Sequence, residues 1–451
     1  MECIAPDATP SGRTTMAAPA SEPLDLTPLL RLPRPALLAA LAATFPTAAP
    51  PLGTATDVPR GGRSAALERL ARIDPAGYAR TRNHVDGKVT GLSPWIRHGV
   101  LSLAEVRDAA LEVAGTAAAA EKLVSELAWR DYWRRVQETI GDGVRTSIAP
   151  PPPGTPAPRE HRLPDEVHEA ATGLACIDAF VRRLRSTGLL HNHERMWFAA
   201  WLVHVRGVDW RAGADWFLSH LVDGDPASNH LSWQWVAGTF SAKPYLARRA
   251  TIEGCTDGRY CRDCPRADDC PFDAPSKPAA DGPDHSAAAP FRLPPAPRPA
   301  PAPVPAPRHP LVWLALDSAS AESPAARRHP EAPRLYVVER EWLEAERPSL
   351  LRLAFLLECL AEVPGVVVLV GDPAELCPLV ATRSGCDGVA AADSPCPRFR
   401  RALTRIAPRL PCVIHPWPRF VDDTAIRDLG RFSRYWKGVS RSALVPTEDP
   451  A

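Results

Sequence analysis

The sequence predicts a multidomain protein in which an all-α domain is followed by an α/β domain of Rossmann-like, parallel-sheet type. Up to about Tyr245, apolar residues recur at three- and four-residue spacing with few β-branched runs, the pattern of amphipathic helices. After Pro310 short apolar runs alternate with helical segments, and that alternation implies a parallel sheet. The 52 prolines concentrate near the N-terminus, over Pro150–Pro158 and between Pro275 and Pro310, so they mark linkers rather than elements.

Taken in order, residues 1–55 form a Pro/Ala-rich leader, expected to be loosely ordered, with one short helical candidate over Arg34–Phe45. The helical domain spans 56–274, with helices expected at Arg63–Ile73, Ser102–Val113, Ala118–Thr139, Cys176–Ser186, His193–Val205 and Arg211–Leu221. A Pro/Ala linker covers 275–310. The second domain, 311–451, has strand candidates at Leu311–Leu316, Arg334–Val338, Val366–Val370, Gly388–Ala391 and Cys412–Ile414. Helices are expected between them at Leu350–Glu362, Ala374–Thr382 and Arg398–Ile406.

Composition excludes several classes. With 45% hydrophobic and 23% charged residues, the 451-residue chain is an ordinary globular one. A formal net charge of +1 gives no global attraction to nucleic acid, so any DNA contact must come from a local basic face. No apolar run reaches the about 18 residues of a membrane span, and the N-terminus lacks the order of a signal peptide, so a monomeric cytoplasmic protein is the expectation. Eleven cysteines, an odd number, argue against a disulfide framework and for free thiols plus one metal site.

Chemistry concentrates in Asp223-Gly-Asp-Pro-Ala-Ser-Asn-His-Leu-Ser-Trp-Gln-Trp235, preceded by Leu190-His-Asn-His-Glu-Arg-Met196 and Asp209-Trp-Arg-Ala-Gly213. Two carboxylates, an amide and two tryptophans in so short a run make a poor core but a good wall for a large, polar, redox-active ring. With Gly61-Gly-Arg-Ser-Ala-Ala-Leu67, Tyr78-Ala-Arg-Thr-Arg-Asn83, Val89-Thr-Gly-Leu-Ser-Pro94 and Ser125-Glu-Leu-Ala-Trp-Arg-Asp-Tyr132, these segments resemble, in order, the flavin-binding domain of the photolyase/cryptochrome family. Leu311-Val-Trp-Leu, Phe355-Leu-Leu-Glu-Cys-Leu, Gly371-Asp-Pro-Ala-Glu and Phe432-Ser-Arg-Tyr-Trp-Lys437 resemble the family's α/β domain, which ordinarily comes first, so the order looks circularly permuted. An unrelated α/β domain appended to the helical one is the alternative.

The resemblance implies FAD as cofactor. Tyr78 would bond a pyrophosphate oxygen, and Thr90, Leu92 and Ser93 would cradle phosphate ahead of a helix. The family commonly has a basic residue where this chain has Gly91, so a charge is missing there or comes from elsewhere. Arg130, Asn192 and Arg195 match cofactor-contacting positions, with Arg195 placed to pair with Asp223. Asp223 and Asp225 would bond the ring edge and ribityl chain, and Asn229 matches the position facing flavin N5, where an amide cannot deliver a proton as an acid could. Glu126 and Trp129 would face a substrate cavity with Asn192, Met196 and Trp235. Read alone, Glu126 and Arg130 are an i,i+4 pair of the kind that usually sits solvated on a helix surface. Trp233 and Trp210 match the inner and middle members of an electron-carrying tryptophan chain. No tryptophan stands at its outer position near Glu169–Gly173, so Trp197, Trp201 or Tyr132 would have to substitute, or the electron route is truncated. Each tryptophan taken singly reads as core packing.

Cys255, Cys261, Cys264 and Cys270 have metal-like spacing that suits zinc, an iron–sulfur cluster or unligated thiols; one branch of the family carries a [4Fe-4S] cluster beside a similar run. Gly371-Asp372-Pro373 lacks a dinucleotide fingerprint, and Ala315-Leu-Asp-Ser-Ala-Ser-Ala321 replaces the family's basic run, so a packing domain is expected rather than one holding an antenna chromophore. Damaged DNA is the implied partner. The implied activity is blue-light-driven electron transfer from reduced flavin to a flipped-out pyrimidine dimer, a lyase reaction in DNA repair. The alternative is a cryptochrome-like photoreceptor or flavin redox protein without repair activity.

Overall fold

The computed structural model describes residues 22–53, 58–240, 243–273, 293–295 and 306–446. Helix α1 (Arg34–Thr44) precedes a helical domain of α2 (Arg63–Leu70), α3 (Pro75–Thr81), α4 (Ser93–Arg97), α5 (Leu103–Ala114), α6 (Ala117–Ile140), α7 (Asp165–His168), α8 (Ala175–Thr187), α9 (Asn192–Ala200), α10 (Trp210–His220), α11 (Pro226–Ala237) and α12 (Arg249–Thr256). The helix expected over 193–205 divides, because α9 passes into a π-helical turn at Trp201–Val205. Helix α11 was not expected. Its buried residues surround the axis, so no apolar stripe betrays it, and its start rests on Asp225, whose carboxylate accepts from Ala227 N–H at 3.0 Å, with Pro226 following.

The second domain is a six-stranded sheet of order β1-β4-β3-β2-β5-β6, comprising β1 (Leu24–Asp25), β2 (Pro310–Leu314), β3 (Arg334–Glu339), β4 (Val366–Gly371), β5 (Gly388–Ala392) and β6 (Cys412–His415). Strands β2 to β6 pair in parallel, and β2, β4 and β5 are buried along nearly their whole length, as a sheet covered on both faces requires. Between them run α13 (Pro324–Arg328), α14 (Arg340–Glu346), α15 (Leu350–Ala361), α16 (Pro373–Arg383) and α17 (Pro397–Ile406), and α18 (Phe432–Ala443) leaves the sheet to lie against α6.

The leader differs from expectation. Residues 24–48 are ordered: β1 pairs antiparallel with β4, Leu26 N–H donates to Val368 O at 2.8 Å, and α1 packs on α15. Composition concealed this because a few leucines suffice, and Leu26, Leu37 and Leu41 are buried in one core with β2, β3 and β4. Of the linker, 293–295 and 306–310 lie within the described residues. No helix among them is long and apolar enough to cross a membrane.

The domains meet backbone to backbone. A Cβ on Gly99, whose φ is +64°, would stand 2.0 Å from Asp317 O, so glycine is required twice over, and Ala319 N–H donates to His98 O at 2.8 Å. Leu41→Ala should therefore cost about 2–4 kcal/mol in chemical denaturation of the full chain, whereas Leu24→Ala, at an exposed position, should stay within about 0.5 kcal/mol.

Candidate functional site

Helices α6, α9, α10 and α11 enclose a cavity of about 420 Å³. Helix α11 presents Asp225, Ser228, Asn229, Ser232, Trp233 and Val236 to it, at successive three- and four-residue steps that fix one face. Helix α6 adds Glu126, Trp129, Arg130 and Trp133, and α9 adds Asn192, Arg195, Met196 and Ala199. The start of α9 is held by a capping box, with His191 N–H donating to Glu194 Oε2 at 2.9 Å.

The charged groups are paired in a definite pattern. Arg195 Nη2 donates to both oxygens of Asp223, at 3.1 and 2.9 Å, and Arg130 Nη2 lies 3.4 Å from Asp225. Burial pushes both carboxyls up, yet Arg195 and Ser93 at Asp223, and Arg130 and Arg97 at Asp225, hold them below the usual carboxylate range. Both are anions in the folded protein. The i,i+4 pair that Glu126 and Arg130 would make if read alone does not form: Glu126 is taken by Lys122 at 2.5 Å and Arg82 at 3.7 Å, which leaves Arg130 to Asp225. The Asn229 amide nitrogen donates to Ala214 O at 2.8 Å, and Asn192 Nδ2 donates to Met196 Sδ at 3.3 Å.

Glu126, Trp129, Arg130, Asn192, Arg195, Met196, Asp223, Asp225, Asn229, Trp233 and Trp235 thus line one cavity. Tyr78, Thr90, Leu92 and Ser93 do not line it, although Ser93 reaches Asp223 and burial, then the Glu126 charge, raises the Tyr78 hydroxyl. Beside Gly91 a guanidinium is present after all, because Arg69 bonds the Thr90 and Val89 carbonyls and would touch a Cβ at that glycine. Trp210 lies outside the lining, its ring against His230 and its Nε1 donating to Ser147. Trp233 meets Phe198 and Phe217, and through Phe198 both Trp201 and Trp216 come within ring contact of the same group. Trp197 packs on Phe180 and His193, and Tyr132 on Trp129 and Trp133.

The four cysteines of the metal-like spacing divide between two pockets. Cys261, Cys264 and Cys270 share a small apolar cavity with Cys176 from α8, whereas Cys255 lines a different pocket beside Arg80 and His84. Chain spacing hid this because Cys176 arrives from a distant helix. Burial raises the Cys176, Cys261 and Cys270 thiols, Cys261 to about 11. Among the described residues no three His, Cys, Asp or Glu side chains converge as they stand on one metal position. A further cavity of about 380 Å³ opens between the domains at the carboxyl ends of β2 and β5, lined by Asp317, Asp393, Arg134 and Trp417.

Residues 123–257, which contain the walls of the cavity between α6, α9, α10 and α11, match the family described as the FAD binding domain of DNA photolyase. Over that stretch the chain carries an FAD-binding domain of the photolyase family. The deoxyribodipyrimidine photo-lyase of Streptomyces griseus is 38% identical over 187 residues, 40% of this chain and 39% of that protein. The cryptochrome DASH of Xenopus laevis is 33% identical over 188 residues, 40% of this chain and 36% of that one. Among solved structures, a Synechocystis cryptochrome covers 48% of each chain with 26% identity and a TM-score of 0.43. The chain spans less than half the length of each of these relatives.

Sequence reasoning missed the groups that hold the cavity's backbone. His98 is fully buried with Nε2 3.2 Å from Val222 O, and burial followed by the Arg97 charge lowers its pKa to about 3. Burial likewise lowers His191 and His220 to about 4. Unfolding lets each imidazole take up a proton near pH 6.5, so stability is complete above that value and falls as pH drops toward about 4. Each group contributes at most about 1.4 kcal/mol per pH unit to that fall. His98→Gln should flatten the slope by one proton in denaturation between pH 7 and 4.5; an unaltered slope would assign the uptake to other groups.

Proposed function

We propose that this protein is an FAD-dependent, blue-light-driven photolyase-like lyase that transfers an electron from reduced flavin to a pyrimidine dimer flipped out of DNA. The observation that carries the reading is that Glu126, Trp129, Asn192, Met196 and Trp235, assigned by resemblance to substrate, line one cavity with Arg130, Arg195, Asp223, Asp225 and Asn229, assigned to cofactor. Reduced flavin, when bound, supplies an electron on excitation and takes it back once the bonds joining the two pyrimidines have broken, so the reaction is redox-neutral.

This chain's residues have distinct uses. The Asp223 and Asp225 carboxylates, kept ionised by Arg195 and Arg130, would hold a bound flavin by accepting its N–H and O–H groups. Asn229 offers an amide and so moves no proton at N5. Trp129 and Trp235 give flat faces for extruded bases, Trp129 being backed by Phe432 at 3.8 Å and 10° and Trp235 by Tyr245 at 5.4 Å and 25°. Met196 fills the apolar gap, and Glu126 hydrogen-bonds the dimer carbonyl. We read the order of the domains, helical before sheet, as a circular permutation of the family's arrangement.

A cryptochrome-like photoreceptor, or a flavin redox protein without repair, is favoured by one observation: Glu126 is engaged by Lys122 and Arg82 instead of standing free for a dimer. The similarity to cryptochrome DASH fits that reading equally. Glu126→Ala decides. Under the repair reading, dimer repair followed by recovery of base absorbance falls at least tenfold while photoreduction of the flavin is unaffected. Unchanged repair in Glu126→Ala excludes this role for the carboxyl.

Trp233→Phe should abolish photoreduction and spare repair by chemically reduced enzyme; photoreduction at the parental rate would remove Trp233 from the electron route. For the cysteine cavity we propose a thiolate-bound iron–sulfur cluster or zinc with Cys176 as fourth donor. Metal analysis should then show loss in Cys176→Ala and retention in Cys255→Ala, and metal-free parent protein would leave these as core thiols.

A further inference from the structure

Gly224 stands between the two carboxylates of the cavity, and its carbonyl oxygen accepts from two guanidiniums, Arg97 Nε and Arg352 Nη2, each at 2.8 Å. Arg352 also donates Nη1 to Leu218 O in the last turn of α10. It therefore caps the negative end of one helix while gripping the turn that leads to the next. Arg352 is not part of the helical domain. It comes from α15 of the sheet domain, is fully buried, and is fixed by Glu346 Oε2 at 3.0 Å and by the face of Trp342, 5.3 Å from its guanidinium carbon. Trp342 Nε1 holds the same Glu346 oxygen at 2.8 Å.

A guanidinium held from behind in this way sets where the turn lies. The contact is close: a Cβ on Gly224 would stand 2.9 Å from Leu221 O and 3.2 Å from Arg352 Cζ. Asp225 is extended, with φ −117° and ψ 118°, so a peptide pinned at Gly224 directs the flanking side chains, Asp223 toward Arg195 and Asp225 toward Arg130. As a packing element alone, an arginine on the buried face of this helix, among Leu350, Leu351, Leu353 and Phe355, would be a poor choice, since burying an ion pair costs more than burying leucine.

We propose that Arg352 is a positioning residue of the flavin site, through which the sheet domain sets the helical domain's affinity for FAD; this rests on the flavin reading above. The test uses the full chain freed of flavin, with Arg352→Met and Arg352→Lys. FAD affinity is read by titration, and amide hydrogen exchange is read over residues 218–225. Arg352→Met should weaken FAD roughly tenfold to a hundredfold and speed exchange in that segment. Arg352→Lys keeps the charge opposite Glu346 but cannot hold both carbonyls, and should fall between it and the parent. Leu376→Ala, which loosens the core on the sheet's other face where no residue of α15 packs, should leave FAD affinity unchanged and so separates positioning from general destabilisation.

If Arg352→Met does not fold, Arg352→Lys decides by itself. Parental affinity and parental exchange in a folded Arg352 variant overturn the proposal, and so does an equal loss of affinity in Leu376→Ala. A parent that takes up no FAD would instead sink the flavin reading, while exchange over 218–225 would still report whether Arg352 orders the turn.

Discussion

A buried ion pair lies where the two domains meet. Glu346 is withdrawn from water and receives Arg352 and Arg398 from its own domain and Arg145 from the helical one, at 3.0, 3.1 and 3.4 Å. Burial pushes its carboxyl up, but the three guanidiniums prevail and bring it down to about 2, so it is an anion throughout the working range. Such a pair adds little net stability over an apolar contact, yet removing one member costs about 3–5 kcal/mol because the other is left charged in the interior. Its partners are matched in one docking orientation, the one that brings Ser349 N–H onto Ser219 O at 2.8 Å at the C-terminal end of α10.

Helix α6 extends this constraint to the cavity. One face gives Arg130 to Asp225, while the next turn gives Asp131 and Arg135 to the segment that closes the chain, with Tyr435 Oη donating to Asp131 at 2.5 Å and Arg135 reaching Asp423 at 2.7 Å. Trp129 lies between these contacts, stacked on Phe432, so the cavity wall has aromatic backing from α18. Every charged group of the site thereby has a protein partner before any ligand arrives. A ligand meets oriented dipoles and anions, and little reorganisation is left for binding to accomplish.

What was legible in the sequence followed periodicity. Long amphipathic helices such as α6 and buried strands such as β4 stood within a residue or two of their predicted bounds. Site residues on α6, α9 and α11 were legible because ordered motifs named them together, where any one alone meant core packing. Three kinds of feature were not. The ordered leader was hidden by its composition, Cys176 by its distance along the chain, and α11 by burial on all sides. Arg352 did leave a signal, a lone cation inside Leu350-Leu-Arg-Leu-Ala-Phe-Leu-Leu357, and a charge at such a place implies partners that only the folded chain can name.

The short strand β1 has a further consequence. It joins the sheet at Val370, so the sheet domain is discontinuous and the whole helical domain is inserted between its first strand and its second. A chain made from its N-terminus can complete the helical domain early, but residues 24–44 must wait until β4 exists before they find their place. Until then α1 keeps Leu37 and Leu41 uncovered, and afterwards the β4 edge stays open until β1 arrives. That pairing closes a circuit across most of the sequence, the kind of contact for which loop-closure entropy is greatest.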